Sequence, residues 1–546
     1  MPTRARFIIL LLVAFILPES GLRLNARTIY GAQQNSEGRA AALVAEGADH
    51  LAKGDLETAK TLFRQALALN PRDGAAHTYL GAIADHENDL AEAEKHFAAA
   101  AQIAPRSASA HNNYGAILLR RGRTAEAAAQ FEISVGLDKQ GRSALINLAQ
   151  IYSSSGTVKD LRLARDLFMR ASALGSDVEL ARALVLVNLR LQDPEAARTA
   201  YRDYATQMAA NTNTEAVAAA SRAELGAALF EGKLFEEAIA ELNAALTAEP
   251  KNVEATLTLA RLYLAQKKIP AAGRTLELAV ARGVDAAPVY AQLAEVYELS
   301  NHIENAIPAM RLAIQRDPRS ESYRFRYAMI LVDAKTPAAA AIRLQEALKE
   351  FPRSARLWFA LGVAHNAEQK GAEAVEAFSR ALEIDPHFAP ALADLGASLE
   401  EQGRYSEAIG YYERALAVDE KQYIVHYLLG EALIKQNPEE SSRAEEHLTR
   451  AAALEPEFAE AYLSLGKIYA RKGRLSEAVA EFEHAIKLDP NIAEAHYQLG
   501  RAYARLKRTD EAQNELALFK QLSETQKEQA QNERRDIVRR LANVRF

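Results

Sequence analysis

Aromatic and basic side chains fall at fixed positions of a recurring unit in the second half of this chain. Phe325, Phe359, Tyr427 and Tyr497 share one position, with Leu463 in the same series and Ala393 breaking it. Lys435, Lys467, Arg471, Arg501 and Arg505 gather towards the C-terminal end with Glu431 as the one acid, whereas Glu295, Glu298, Asp333, Glu400 and Glu401 make the preceding stretch acidic. Rings presented in series suit the anchoring of a peptide, since they supply large contact area at low entropy cost. A run of cations suits an acidic peptide or a carboxylate.

Residue patterns for catalysis are missing. The sequence has no HExxH, no phosphate loop, no GxGxxG and no nucleophile elbow. His86-Glu87 lacks a second histidine four residues after the first. His77, His111, His426 and His496 recur at one position of the unit and read as packing residues. With no cysteine in 546 residues, disulfides, thiol catalysis and cysteine zinc sites are excluded. A net charge of −6 offers no general affinity for nucleic acid. No cofactor and no metal are expected.

The elements that must position these residues show in one pattern repeated fourteen times, an alanine followed four residues later by a large apolar residue. Ala59/Phe63, Ala93/Phe97, Ala238/Leu242, Ala374/Phe378 and Ala478/Phe482 are examples, and nine of the thirteen steps between these alanines are 34 residues. About twelve residues before the alanine stands Gly or Ala in thirteen repeats, as in Gly81, Gly115, Gly362 and Gly466; the fifth repeat has Val185 there. A second alanine follows seven after the first in eleven repeats, and proline twelve after it in eight. Small residues at fixed sites let two helices approach closely. Positions i, i+4 and i+7 share one helix face, and proline stops the second helix. Each repeat is therefore helix, short turn, helix, turn, with Gly, Asn or Asp often in the first turn.

This pattern resembles the tetratricopeptide repeat (TPR). The tenth repeat carries it most fully, in Trp358, Leu361, Gly362, Ala374, Phe378, Ala381 and Pro386. The resemblance implies an all-α, right-handed TPR solenoid of helix-turn-helix repeats, a binding surface rather than an enzyme. It further implies that the first helix of each repeat lines an inner groove, through residues three before, and one, four and five after, the small residue. On that mapping Phe325, Phe359, Tyr427, Tyr497, Lys435, Lys467, Arg471, Arg501 and Arg505 are the candidate partner-binding residues. The carboxylate clamp some TPR proteins use on chaperone tails is not matched: the last three repeats read Tyr427/Glu431, Leu463/Lys467 and Tyr497/Arg501. Of the asparagine ladder of the TPR arm of O-linked N-acetylglucosamine transferases, only Asn113 and Asn147 fit.

The chain divides into a signal peptide or short anchor at 1–26, a flexible linker at 27–39, repeats one to five at 40–206, a polar loop at 207–216, repeats six to fourteen at 217–523, and a C-terminal capping helix at 524–546. The leader rests on Arg4 and Arg6 ahead of the apolar run Phe7 to Leu17, too short to span a bilayer comfortably. It implies export to the periplasm or the exterior, or membrane anchorage by an uncleaved N-terminus. Ser523 with Gln526 resembles a capping box at the start of the last helix. The expected function is a scaffold for a protein or peptide partner. The alternative is a structural subunit of a cell-envelope secretion, pilus or polysaccharide-export assembly.

Overall fold

The computed structural model describes residues 36–210, 219–438 and 441–526. Among them are 28 α-helices and no strand, two helices for each of the fourteen repeats. The repeats run from Ser36–Ala52 with Leu56–Leu69 to Ala493–Arg505 with Thr509–Gln526. The described chain forms two compact blocks, one ending at Leu262 and one beginning at Tyr263.

Several expected boundaries move. The first helix begins at Ser36, inside the expected linker. The helix Pro194–Ala210 runs four residues into the expected polar loop, because Met208 continues its buried face one turn beyond Tyr204. Residues 211–218, which take in the rest of that loop, lie outside the described residues, as do 1–35 and 527–546. Ser523 starts no new helix: it sits within Thr509–Gln526 and its hydroxyl donates to the Lys520 carbonyl at 3.0 Å.

The repeated small and large residues form one contact. The fourteen alanines are buried, thirteen of them completely. A Cβ placed on Gly362 would lie 2.4 Å from Phe378 Cε1; on Gly466 it would meet Phe482 at 2.5 Å, on Gly396 Tyr412 at 2.6 Å, and on Gly115 Phe131 at 2.8 Å. The ring of the second helix thus lies directly on the backbone of the first. Alanine also stands at the small site, as Ala294 and Ala328 in repeats eight and nine opposite Met310 and Leu344, and as Ala149 in repeat four, which shares its core with the Phe168 ring. In repeat five Val185 fills the small site. Tyr201 is only half-buried there, and its hydroxyl turns to Glu241 at 2.9 Å.

Among the described residues, the turn inside thirteen of the fourteen repeats holds a residue of positive φ. Gly403 supplies it at φ 76°, but Lys335 at 58° and Gln369 at 64° hold the same left-handed conformation with a side chain in the way. Many helix starts are capped by a side chain, as where Asp73 accepts from Ala76 N and Ser354 from Leu357 N.

The recurring histidines are polar clasps as well as packing residues. His77, His111 and His496 each donate from Nε2 to the carbonyl of the proline six residues earlier, at 3.2, 3.2 and 3.0 Å; His426 does so to Glu420 O at 3.1 Å. Trp358, Arg324 and Tyr462 stand at the same repeat position and donate to Pro352, Pro318 and Pro456. Four side-chain types therefore tie the start of a first helix to the loop that enters it.

Two predictions follow from this packing. Gly362→Ala lowers stability by about 1–3 kcal/mol, the usual cost of overpacking, and adding Phe378→Leu recovers most of it, as read by thermal circular dichroism. The second concerns the pairs His77/His96 and His426/His447, whose Nδ1 atoms lie 2.9 and 3.0 Å apart. Burial holds the His96, His426 and His447 imidazoles below the usual histidine range, with the neighbouring ring adding to the effect at His96 and His447. Stability from a group so lowered is complete above the ordinary histidine pKa of about 6.5 and is lost as pH falls through the lowered value. Between about pH 7.5 and about pH 5.5 the wild-type Tm drops, and the drop is smaller in His96→Gln/His447→Gln.

Candidate functional site

In the C-terminal block, the expected stripe of rings packs between repeats. Phe359 is 0% exposed, 5.8 Å from the Phe378 ring and edge-on to Phe388 at 5.3 Å. It is a core residue, and its assignment as a groove anchor is corrected. Phe388, at the entry to the next repeat, covers it. The other three rings are half-buried and similarly covered. Arg356 lies 4.7 Å over Phe325, Phe458 stands edge-on to Tyr427 at 5.1 Å, and Phe519 lies 5.0 Å from Tyr497. One edge of each still reaches solvent.

The basic residues five after the small residue do not all behave alike: Lys435 and Arg505 brace the preceding first helix, while Arg471 at the same position is exposed. Lys435 Nζ is 2.8 Å from Glu400 Oε1, and the buried Glu400 also accepts from Tyr412 at 2.9 Å. Arg505 donates to Ala470 O at 2.8 Å, near the end of Ala459–Arg471, where the helix dipole favours a cation. Arg120 pairs with the buried Asp85 in the same way, and Arg190 with the Ser153 carbonyl. Lys435 and Arg505, like Arg120 and Arg190, therefore serve as struts between repeats. Lys467 lies 3.5 Å from Glu494, Arg501 sits 5.5 Å from the Tyr497 ring centre, and Arg471 and Arg501 are exposed. Among the acids, Glu295 and Glu298 share Arg326, at 3.7 and 2.9 Å. Burial raises the Glu298 carboxyl, against the pull of Arg326.

Asp394 lies on the helix Ala389–Glu401, 2% exposed, and its Oδ1 has no hydrogen-bond partner. Burial alone pushes its carboxyl well above the usual range. The stability of such a group is complete below the ordinary carboxylate pKa and is lost as pH rises through the raised value. Asp394→Asn, which carries no charge, is therefore expected to unfold at higher temperature than wild type at about pH 8, by about 1–3 kcal/mol, and to show no gain at about pH 4. Thermal melts at the two pH values check this.

The N-terminal block holds two adjoining openings. A cavity of about 220 Å³ is walled by Leu119, Ile146, Ile151, Phe168, Leu180 and Leu186, with Gln150, Arg182 and Arg190 at its edge. Gln150 Oε1 is buried there without a donor. A wider cleft of about 940 Å³ adjoins it, lined by Leu189, Asp193, Glu224, Glu231, Lys233 and Glu254 among others. Leu186 and Arg190 line both. Most of these residues come from the first helices Ala108–Arg120, Arg142–Ser155, Val178–Arg190 and Ala219–Glu231. Leu119, Ile146, Gln150, Ser153, Ser154, Arg182, Leu186 and Arg190 stand at the groove positions of repeats three to five. From sequence alone Ile146 is one of the early groove residues, but the candidates fall in the late repeats. The signal was present: repeat four has the expanded turn Ser153 to Thr157, and repeat five has Val185 at the small site. Asn147, a ladder position, instead donates to the neighbouring repeat's Asn112 at 3.2 Å, and both are buried.

The paired helices, the small-on-large contact and the first-helix face define a helical repeat protein. The chain belongs to the tetratricopeptide-repeat family. Family models described as tetratricopeptide or TPR repeat match residues 44–108, 98–142 and 182–252, then 229–296, 287–320, 353–421, 466–507 and 493–525. No curated protein matches the chain. Among solved structures it is similar to MamA, at 25% identity over 30% of this chain and 96% of that one, with a TM-score of 0.29. It is also similar to YrrB, described as a TPR protein with an unusual peptide-binding site, at 26% identity over 33% and 91%, with a TM-score of 0.30. The APC/C hetero-tetramer Cut9-Hcn1 is 16% identical over 85% and 96%, with a TM-score of 0.38.

Proposed function

We propose that this chain is a non-enzymatic scaffold that holds a protein or peptide partner along the face built by the first helices of its repeats. The observation that carries this reading is the pair of adjoining openings on that face in repeats three to seven. The buried core of each repeat is otherwise packed against its neighbours, as expected of a solenoid. Half-exposed Tyr427 and Tyr497 with exposed Arg471 and Arg501 offer further contact area on the same helices. Membership of the TPR family supports an interaction role in general.

Export completes the proposal. Arg4, Arg6 and the apolar run Phe7 to Leu17 support a cleaved signal or an N-terminal anchor. Among the described residues no helix is long and apolar enough to cross a membrane.

The test is crosslinking capture in the native host, with partners identified by mass spectrometry. Wild type is compared with Leu186→Glu, with Arg471→Glu/Arg501→Glu, and with Arg380→Glu on a second helix as the control. Partners lost from either first-helix variant and kept by the control support the proposal. Equal capture by all four proteins moves binding off this face.

A further inference from the structure

The two openings differ in chemistry and meet across one helix. The smaller is apolar. A cavity of about 150 Å³ lined by aliphatic side chains takes a benzene-sized ring, so about 220 Å³ has room for a large apolar side chain. Its one unsatisfied polar atom, Gln150 Oε1, is an acceptor suited to a peptide N–H. The larger opening is acidic. Glu224, Glu231 and Glu254 are exposed in it, and Asp193 lies 3.6 Å from Arg165. Its cations are Lys233 and Arg190, and Arg190 is turned to the Ser153 carbonyl. Carboxylates therefore outnumber cations, and the complementary ligand is basic.

The geometry also fixes a spacing. Leu186 and Arg190 stand one turn apart on Val178–Arg190 and border both openings, so a bound segment crosses this helix once. A helix is about 10 Å across with its side chains, which about three residues of extended chain span.

We infer that repeat five is the recognition point of the array: it takes a peptide whose aromatic or large aliphatic side chain enters the apolar cavity and whose Lys or Arg, about three residues away, lies against Glu224, Glu231 and Glu254. This rests on the scaffold proposal above and adds the site and the chemistry of the partner. The repeat that departs furthest from the family pattern is, on this view, the one released from packing to bind.

The test uses the purified full chain and a set of synthetic peptides read by fluorescence anisotropy. Each peptide carries one Trp or Leu, with Lys, Glu or Ser three residues away, or Lys without the apolar residue. The apolar-plus-Lys peptides are expected to bind most tightly, and to weaken by about ten-fold or more with added salt or in Glu231→Lys/Glu254→Lys. That double variant changes exposed residues only, and it should improve binding of the apolar-plus-Glu peptide. Leu186→Glu, checked for fold by circular dichroism, should abolish binding of both. Preference for the Glu peptide by wild type, indifference to both sets of substitutions, or no binding by any peptide overturns the inference. In the last case, loss of captured partners from the first-helix variants in the host would still uphold the scaffold proposal.

Discussion

The array depends on one steric constraint, the close approach of a large side chain on each second helix to the backbone of the first. Where glycine holds the first-helix site, the ring or leucine opposite lies within a distance that no Cβ would permit. Interaxial distance follows side-chain size, so this contact sets how tightly each pair closes and how regularly pairs succeed one another. The small site varies: Ala294 and Ala328 face Met310 and Leu344, Ala149 shares its core with Phe168, and where Val185 holds the site the Tyr201 hydroxyl bonds to Glu241. Leu516 of the last repeat, 36% exposed, shows the other half of the rule, since among the described residues no later repeat follows to cover it.

Polar groups reinforce this packing at recurrent positions and with interchangeable chemistry. The donor six residues after the loop carbonyl is His, Arg, Trp or Tyr in different repeats, because the site requires a donor of sufficient reach and not one residue type. The strut between first helices is Arg or Lys, and its acceptor a carboxylate or a backbone carbonyl. Near Glu241 the burden is heavier: Tyr201, Tyr204 and Arg222 surround a buried carboxyl that burial raises above its usual range. Such groups persist because each has partners. Asp394 Oδ1 is the contrast, a buried acceptor with none.

These uses explain why charge and aromaticity alone misplace a binding surface in a repeat protein. A residue that recurs every 34 positions recurs because the structure recurs, so periodic Phe, Lys and Arg serve the contacts between repeats first. Phe359 and Lys435 illustrate this. The two openings described lie where periodicity fails. The expanded turn before Thr157 and the valine at 185 interrupt the close succession of first helices, and the openings lie beside them.

The fold class, the fourteen-repeat count, the buried alanines and the helix pairing were legible in the sequence, because each depends on short-range spacing of small, large and helix-stopping residues. What a groove residue does was not. Whether Phe359 faces solvent depends on Phe388 of the next repeat, and whether Lys435 is available depends on Glu400 of the one before. The cavity beside Leu186 depends on how four first helices are spaced. Such properties arise from contacts between residues some 30 positions apart, which only the packed structure brings together.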